Sequence, residues 1–170
     1  MDFKELAAER YSCRSMSNRK VEDALVEQII ATAIKAPTAV NRQPVKIFWM
    51  KSEKAKKDIH QVTTCTFNAD TFLVVGYQED GAWVRPFDDR NFADIDAGIV
   101  ATHIMMEVAD LGLATTWVGY FDAPLLQSLY PEMKAYDLVA IFPIGYAAED
   151  GEPSPRHAVR KSRAEMVQEL

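Results

Sequence analysis

Ala36-Pro37-Thr38-Ala39-Val40-Asn41-Arg42-Gln43-Pro44-Val45 is the stretch on which the reading of this chain turns. Pro37 has no amide hydrogen and biases Ala36 away from helical backbone, so an apolar helix running up to this point must stop. Pro44 then opens a strand at a position where a missing donor is tolerated. Between the prolines, Thr38, Asn41 and Gln43 offer one hydroxyl and two carboxamides, each able to donate and accept. Such groups suit a flat, uncharged heterocycle with carbonyl and imino edges, and equally an ordinary helix-to-strand turn.

Outward from this loop, residues 21–36 read as a helix with a broad apolar face, and 45–50 as a strand apolar on both faces except for Lys46, the pattern of a central sheet position. Residues 52–61 form a polar, lysine-rich surface helix, and 71–77 a second central strand. The longest helix covers 94–111, with Gly112 as its left-handed cap and Gly98 inside it pointing to a close approach of another backbone. His103 on this helix reads as a core or surface histidine. A short strand follows at 115–118, then a helix capped by Asp122 and a last strand at 136–146, where Pro143 and Gly145 mark a bend or an edge. Residues 78–92 make a long connection carrying Trp83, Arg85, Phe87 and Phe92, which reads either as a flap over a pocket or as an anchored structural loop.

A capped helix at the start of the chain ends in Arg10-Tyr11-Ser12-Cys13-Arg14, where two guanidinium forks and a hydroxyl can grip a phosphate or form a solvated basic patch. From Ala147 the chain reads as an extended arm, finishing in a second basic cluster. Arg10, Arg14, Arg19 and Lys20 with Arg156, Arg160, Lys161 and Arg163 make up 8 of the 19 basic residues of an acidic protein with net charge -6. If the two ends meet, they form an anion site. The acidic balance argues against nucleic-acid or anionic-membrane binding. No stretch reads as a membrane span or signal peptide, so the expected setting is cytoplasmic. The two cysteines make no disulfide framework, the three histidines have no ligand spacing, and no metal is expected. Phosphate-loop and dinucleotide fingerprints and a nucleophile triad are absent. A single domain over 1–170, with its arm from about 147, is expected.

Five features occur in order: Arg10-x-Ser12-x-Arg14, Ala36-Pro37-Thr38-x-x-Asn41-x-Gln43-Pro44, Asp110-Leu111-Gly112-Leu113-x-Thr115-x-Trp117-Val118-Gly119, Pro143-Ile144-Gly145-Tyr146, and the basic C-terminal segment. Together they resemble the FMN-dependent nitroreductase family over nearly the whole chain. The resemblance implies an α+β fold, a mixed and mostly antiparallel central sheet flanked by helices, in an intertwined homodimer with flavin at the subunit interface. It assigns tightly held, non-covalent FMN to Arg10, Tyr11, Ser12, Cys13 and Arg14 at one end of the chain and Arg160 and Lys161 at the other. Pro37, Thr38, Ala39, Asn41 and Gln43 approach from the partner subunit, and Val118, Gly119 and Tyr120 lie by the ring, the Gly119 amide facing flavin N5. The implied activity is ping-pong hydride transfer from NADH or NADPH to nitroaromatic, quinone or similar electron-poor acceptors, with Trp83, Arg85, Tyr120 and Phe121 on the acceptor side. Enone reduction and reductive dehalogenation reuse the fold. Many relatives carry extra helices over the pocket and a small residue where Tyr120 stands, so a non-catalytic flavin-binding protein is the rival expectation.

Overall fold

The computed structural model describes residues 2–170; Met1, where the expected domain begins, lies outside them. The architecture follows from strand Thr71–Tyr77, in which six of seven residues are buried. Successive side chains of a strand point to opposite faces: Leu73 and Val75 go to one side, Phe72 and Val74 to the other. A strand apolar on both faces needs helices on both, at about 1.5–3 kcal/mol of stabilisation for each large side chain fully buried.

The strands β1 (Val45–Trp49), β2 (Thr71–Tyr77), β5 (Ala114–Thr115) and β6 (Asp137–Gly145) form a four-stranded sheet of order β1-β2-β6-β5, every pairing antiparallel. On one face, α2 (Asp23–Ala33) and α4 (Ala93–Asp110) bury Val26, Ile29, Ala101 and Ile104 against Leu73, Val75 and Phe142. On the other, α3 (Glu53–Val62) and α5 (Ala123–Leu129) bury Ile59, Val62 and Leu126 against Phe72, Val74 and Ile141. This is the expected α+β arrangement of an antiparallel sheet between helical layers. The register of β2 with β6 shifts at Gly76, where Val75 faces Ala140 but Gly76 faces Leu138. The extra residue puts Val139 and Ala140 on the same side of the sheet and Leu138 on the other. A Cβ on Gly76 would lie 3.2 Å from the Asp137 carbonyl and 2.9 Å from Leu138, so glycine makes room for the bulge.

Helix termini follow local chemistry. Asp2 and Glu5 form a capping box on α1 (Phe3–Glu9), Ser52 caps α3, and Asp122 caps α5 with Pro124 in its first turn. Beyond α4, Gly112 at φ +68° allows the Gly112 N–H to bond Ala109 O and the Leu113 N–H to bond Val108 O, closing the helix end with Leu113 turned into the core.

Five expectations need correction. Strand β1 is an edge strand; it is apolar on both faces because Ile47 and Trp49 meet the α2–α4 layer while Phe48 meets the opposite one. Pro143 is inside the sheet. Ile141 exchanges both backbone bonds with Val118, so Pro143, two residues on, turns its missing donor toward the gap between that bridge and β5. Among the described residues, nothing lies within 4 Å of a Cβ built on Gly98, so no other segment of the same chain approaches it. Residues 78–92 carry a small antiparallel ribbon, β3 (Val84–Arg85) with β4 (Arg90–Asn91), closed by an edge-to-face contact of Trp83 with Phe92 at 4.8 Å. The arm from Ala147 is packed at its start, as described below, and then forms a short turn, Pro155–Ala158, and α6 (Arg163–Met166).

Under α3, Asp58 is only 5% exposed and accepts from Lys54 Nζ at 2.6 Å, Tyr130 OH at 2.6 Å and Gln61 Nε2 at 2.9 Å. The bonds from Lys54 and then Tyr130 hold its carboxyl below the usual carboxylate range. A depressed pKa contributes stability that is complete above the unfolded value, about 3.9, and is lost as the pH falls through the lower folded value. Asp58→Ala, which strands the Tyr130 hydroxyl, should lower unfolding free energy by about 1–3 kcal/mol at pH 7. Urea titrations at pH 7 and pH 3 should show a smaller acid-induced loss in the variant than in the parent.

Candidate functional site

Residues 11–17, beyond α1, run extended along the end of the sheet. The Cys13 N–H donates to Thr115 O at 3.0 Å, Met16 bridges Ala147, and the Ser17 N–H donates to Tyr146 O at 2.9 Å. The last strand's exit is therefore laid against the first extended segment. Tyr11 OH donates to Gly151 O at 2.5 Å, Ser15 Oγ to Asp150 Oδ1 at 2.7 Å, and the Ala148 N–H to Ser15 O at 3.1 Å. Burial, and then the neighbouring Cys13 thiol, push the Tyr11 hydroxyl pKa up, which keeps it a donor. Gly151 is buried in this knot; a Cβ there would lie 2.9 Å from both Ala148 O and Ser15 O.

This return brings the two ends of the chain together. Arg10, Ser12 and Arg14 line one cleft with Ser154, Arg156, His157 and Arg160. Among the described residues, no carboxylate lines it. Burial first, and then the Arg160 charge, lower the Arg10 pKa. Arg160 is itself oriented by donating to the carbonyls of His157 and Val159. Four guanidiniums and two hydroxyls without a counter-charge make a donor set that fits a phosphate dianion. Lys161 does not line this cleft. Arg19 lies outside it too, stacked on Tyr146 at 3.7 Å and paired with Glu22, and Arg163 pairs with Glu169.

From Thr115 the backbone continues to Gly119, at most about 13 Å away for four residues of extended chain. Val118 is pinned by its bridge to Ile141, while the position of a Gly119 Cβ meets nothing within 4 Å. Tyr120 is 78% exposed, and its carbonyl accepts from Thr63 Oγ1 at 2.6 Å. Phe121 is partly buried, packing against the core beside α3 and α5, and it also lines the cleft beside Tyr120. A cleft of about 460 Å³ lies here, lined on the α3 side by His60, Gln61, Thr63 and Thr64 and on the other by Gly119 and Tyr120. The sequence reading missed the residues from 60 to 64. Their one local signal was a pair of threonines past a polar helix end, and their apposition to Gly119 is long-range.

The remaining candidates lie elsewhere. In the loop 36–45, Pro37 and Asn41 are exposed, and Val40, Asn41 and Gln43 have left-handed backbone, with φ of 50°, 55° and 53°. The loop is fastened by the Ala39 N–H donating to Asp96 Oδ1 at 2.8 Å and the Gln43 N–H to Thr38 Oγ1 at 3.0 Å. Trp83 and Arg85 sit on the ribbon that leads into α4, Arg85 paired with Asp88 and 5.5 Å over the Phe92 ring. Asp96 is in the first turns of α4, whereas Arg10, Tyr11 and Cys13 share a cavity wall with Met105, Ala109 and Gly112 at its far end. From residue 96 to 109 is about 20 Å of helix at 1.5 Å per residue. One chain thus carries Arg10–Arg14, with the cleft they share with Arg156–Arg160, toward one end of α4, and Thr38–Gln43, Trp83 and Arg85 at the other.

The Nitroreductase family model matches residues 7–71 and 63–146. A nitroreductase family protein from Clostridium difficile 630 is 32% identical, covering 99% of this chain and 98% of its own, with a TM-score of 0.90. The structure of a candidate nitroreductase in complex with FMN from Exiguobacterium sibiricum 255-15 is 20% identical, covers 100% of this chain and 98% of its own, and superposes with a TM-score of 0.84. Among curated proteins, a candidate NADH dehydrogenase/NAD(P)H nitroreductase from Methanothermobacter thermautotrophicus is 22% identical, covering 88% of this chain and 80% of its own. By the family match over most of its length, and by the 32% identical structure that it follows from end to end, this chain belongs to the nitroreductase family.

Proposed function

We propose that this protein is an FMN-dependent oxidoreductase, folded as one domain, which works as a homodimer in the cytoplasm and passes hydride from NADH or NADPH to nitroaromatic, quinone or similar electron-poor acceptors. The observation that carries the reading is the cleft in which Arg10, Ser12 and Arg14 meet Arg156, His157 and Arg160 with no carboxylate among them. Family membership and the FMN complex of a relative with the same fold support flavin as its occupant. Bound FMN supplies the redox chemistry, accepting hydride from a nicotinamide and giving it to the acceptor.

The chain's own groups bind and orient. The arginines and Ser12 hold the phosphate, and Tyr11, through Gly151, holds the C-terminal return in place beneath it. Gly119 leaves the space on its side-chain face open, and its main-chain N–H would be a donor that stabilises developing negative charge on the ring without a titrating side chain. Thr38, Asn41 and Gln43 offer hydroxyl and amide groups to the ring's polar edge. Within one chain that loop is fastened near the opposite end of α4, so a second copy is the natural source of it. The same holds for Trp83 and Arg85, which reach an acceptor beside Tyr120 only across a dimer interface. The unpaired thiols Cys13 and Cys65 are in keeping with a reducing compartment.

The exposure of Tyr120 beside Gly119 favours one alternative, a flavin-binding protein in which this ring covers the reactive face. Anaerobic addition of NADPH and then NADH to the FMN-loaded protein separates the two. Bleaching of the flavin bands, followed by their return on adding a quinone, is the expected result; bands that persist with both donors would make it a binder. Flavin enone reductases and reductive dehalogenases share these first steps and differ in the acceptor that restores the colour.

Two substitutions test the cofactor assignment. Arg14→Ala with Arg160→Ala, removing two charge-assisted phosphate contacts, should abolish FMN retention through gel filtration. Unchanged flavin content would refute the phosphate site. Gly151→Ala touches no ligand but forces the return away from Ser15, and should weaken FMN binding by about tenfold or more, read by quenching of flavin fluorescence. Sedimentation of the FMN-loaded protein at micromolar concentration should give a dimer.

A further inference from the structure

Asp96 stands out among the buried polar groups. It is 1% exposed, and its Oδ2 is the one buried side-chain nitrogen or oxygen without a hydrogen-bond partner among the described residues. An ionisable group in that position costs stability, and the α2–α4 layer around it is built from apolar side chains that need no carboxylate. Its place in the opening turns of α4 eases the charge, since the helix N-terminus is the positive end of the macrodipole, but does not call for it. The contact it does make is specific: Oδ1 accepts the Ala39 N–H at 2.8 Å, across 57 residues of sequence.

That contact falls where the backbone is most strained. Val40, Asn41 and Gln43 all have positive φ although none is glycine, and left-handed backbone is least tolerated by a β-branched residue such as Val40. The loop has little packing to impose this shape, since Val40 is 70% exposed and Asn41, Arg42 and Gln43 are exposed as well. The other side-chain bonds, Thr38 Oγ1 to the Gln43 N–H and Gln43 Nε2 to Asn41 O, lie within the loop itself. Asp96 is therefore the anchor that ties its first turn to the rigid body of the protein.

We propose that Asp96 is a positioning residue for flavin binding, fixing the turn at Ala39 so that Thr38, Asn41 and Gln43 present their polar groups to the cofactor. The proposal rests on the reading given above, that this loop faces FMN. It places the carboxylate behind the site, touching neither cofactor nor acceptor, and it accounts for a buried carboxylate by the geometry it imposes on a loop that packing leaves free.

The test is a double-mutant cycle on the FMN dissociation constant, measured by flavin fluorescence with the full-length protein. Asp96→Ala should weaken binding about tenfold, the worth of one charge-assisted bond, and Asn41→Ala should weaken it severalfold. In the combined variant the loss should stay close to that of Asp96→Ala alone, because a loop already adrift has no Asn41 contact left to lose. The visible spectrum of bound flavin should shift in the same sense in both single variants. Asp96→Asn, which keeps an oxygen for the Ala39 N–H, should bind within about threefold of the parent. Should Asp96→Ala fail to fold, Ala39→Pro cuts the same bond from the donor side; Thr38 is already extended at φ -129°, ψ 158°, as a residue before proline must be, and Ala39 opens a helical turn where proline is accepted. It should weaken binding as Asp96→Ala does. Parental affinity in Asp96→Ala or Ala39→Pro, or losses from Asp96 and Asn41 that simply add, would overturn the positioning role while leaving the loop's contact with FMN intact. If Asn41→Ala and Thr38→Ala both bind FMN like the parent, it is the underlying reading of the loop that fails.

Discussion

The length of α4 is the constraint from which the arrangement of this protein follows. Its 18 residues span about 27 Å of straight helix, packed along one face of the sheet through Ala97, Ala101, Ile104 and Val108. The N-terminal turns carry the anchor of the loop 36–45 and the base of the β3–β4 ribbon. The C-terminal turns back the segment that leads from Arg10 to Arg14. A rigid element of that length cannot bend its two ends onto one small ligand. On the proposed reading, a site that uses both sets of residues is completed by a second chain, so dimerisation is part of the proposed chemistry rather than an addition to it.

The functional regions are also the ones that the fold stabilises least. Four guanidiniums in one cleft repel one another, three non-glycine residues in the loop hold left-handed backbone, and Asp96 keeps an oxygen buried without a donor. The strained loop and the unpaired oxygen are each a cost of order one to a few kcal/mol. The sheet, buried on both faces, offsets them. Residues 71–76, all buried, lie between two helical layers, and the bulge at Gly76 fits the pairing of β2 with β6 without opening either core. Rigidity sits in the sheet and strain at its margins, the distribution expected where geometry at a site must be held by something outside it.

The elements were legible in the sequence where periodicity, capping and hydrophobic runs all agreed. Strand 71–77 and the cap at Gly112 follow directly from local chemistry, and of the basic residues near both ends, Arg10, Arg14, Arg156 and Arg160 meet in one cleft. Lys161 and Arg163 do not line that cleft, since charge in sequence says nothing of which side chains turn toward it. Local patterns also could not say that β1 lies at an edge, since helices cover both its faces as they would those of a central strand. Gly151 and Asp96 were passed over for a related reason. The first is required by contact with Ser15 and the second by contact with Ala39, and in both cases the partner is far away in the chain. The residues from His60 to Thr64 are joined to the Gly119 region by the bond from Thr63 to the backbone of Tyr120, a long-range contact that no local pattern carries.

A division of labour follows from which groups are packed and which are bare. The arginine cleft is locked by the Tyr11–Gly151 bond and the buried Gly151, so its donors are set by the same contacts that hold the chain ends together. Around Gly119 the opposite holds. No atom stands where its side chain would be, Tyr120 is largely in solvent, and His60, Gln61 and Thr64 are exposed on the facing wall. At the ribbon tip, Phe87 is almost wholly uncovered. Substitution at these places removes little packing, whereas substitution in the phosphate cleft disturbs the joining of both ends. On the proposed reading, cofactor binding is therefore coupled to the integrity of the fold, while the choice of acceptor is left to side chains that the fold does not need.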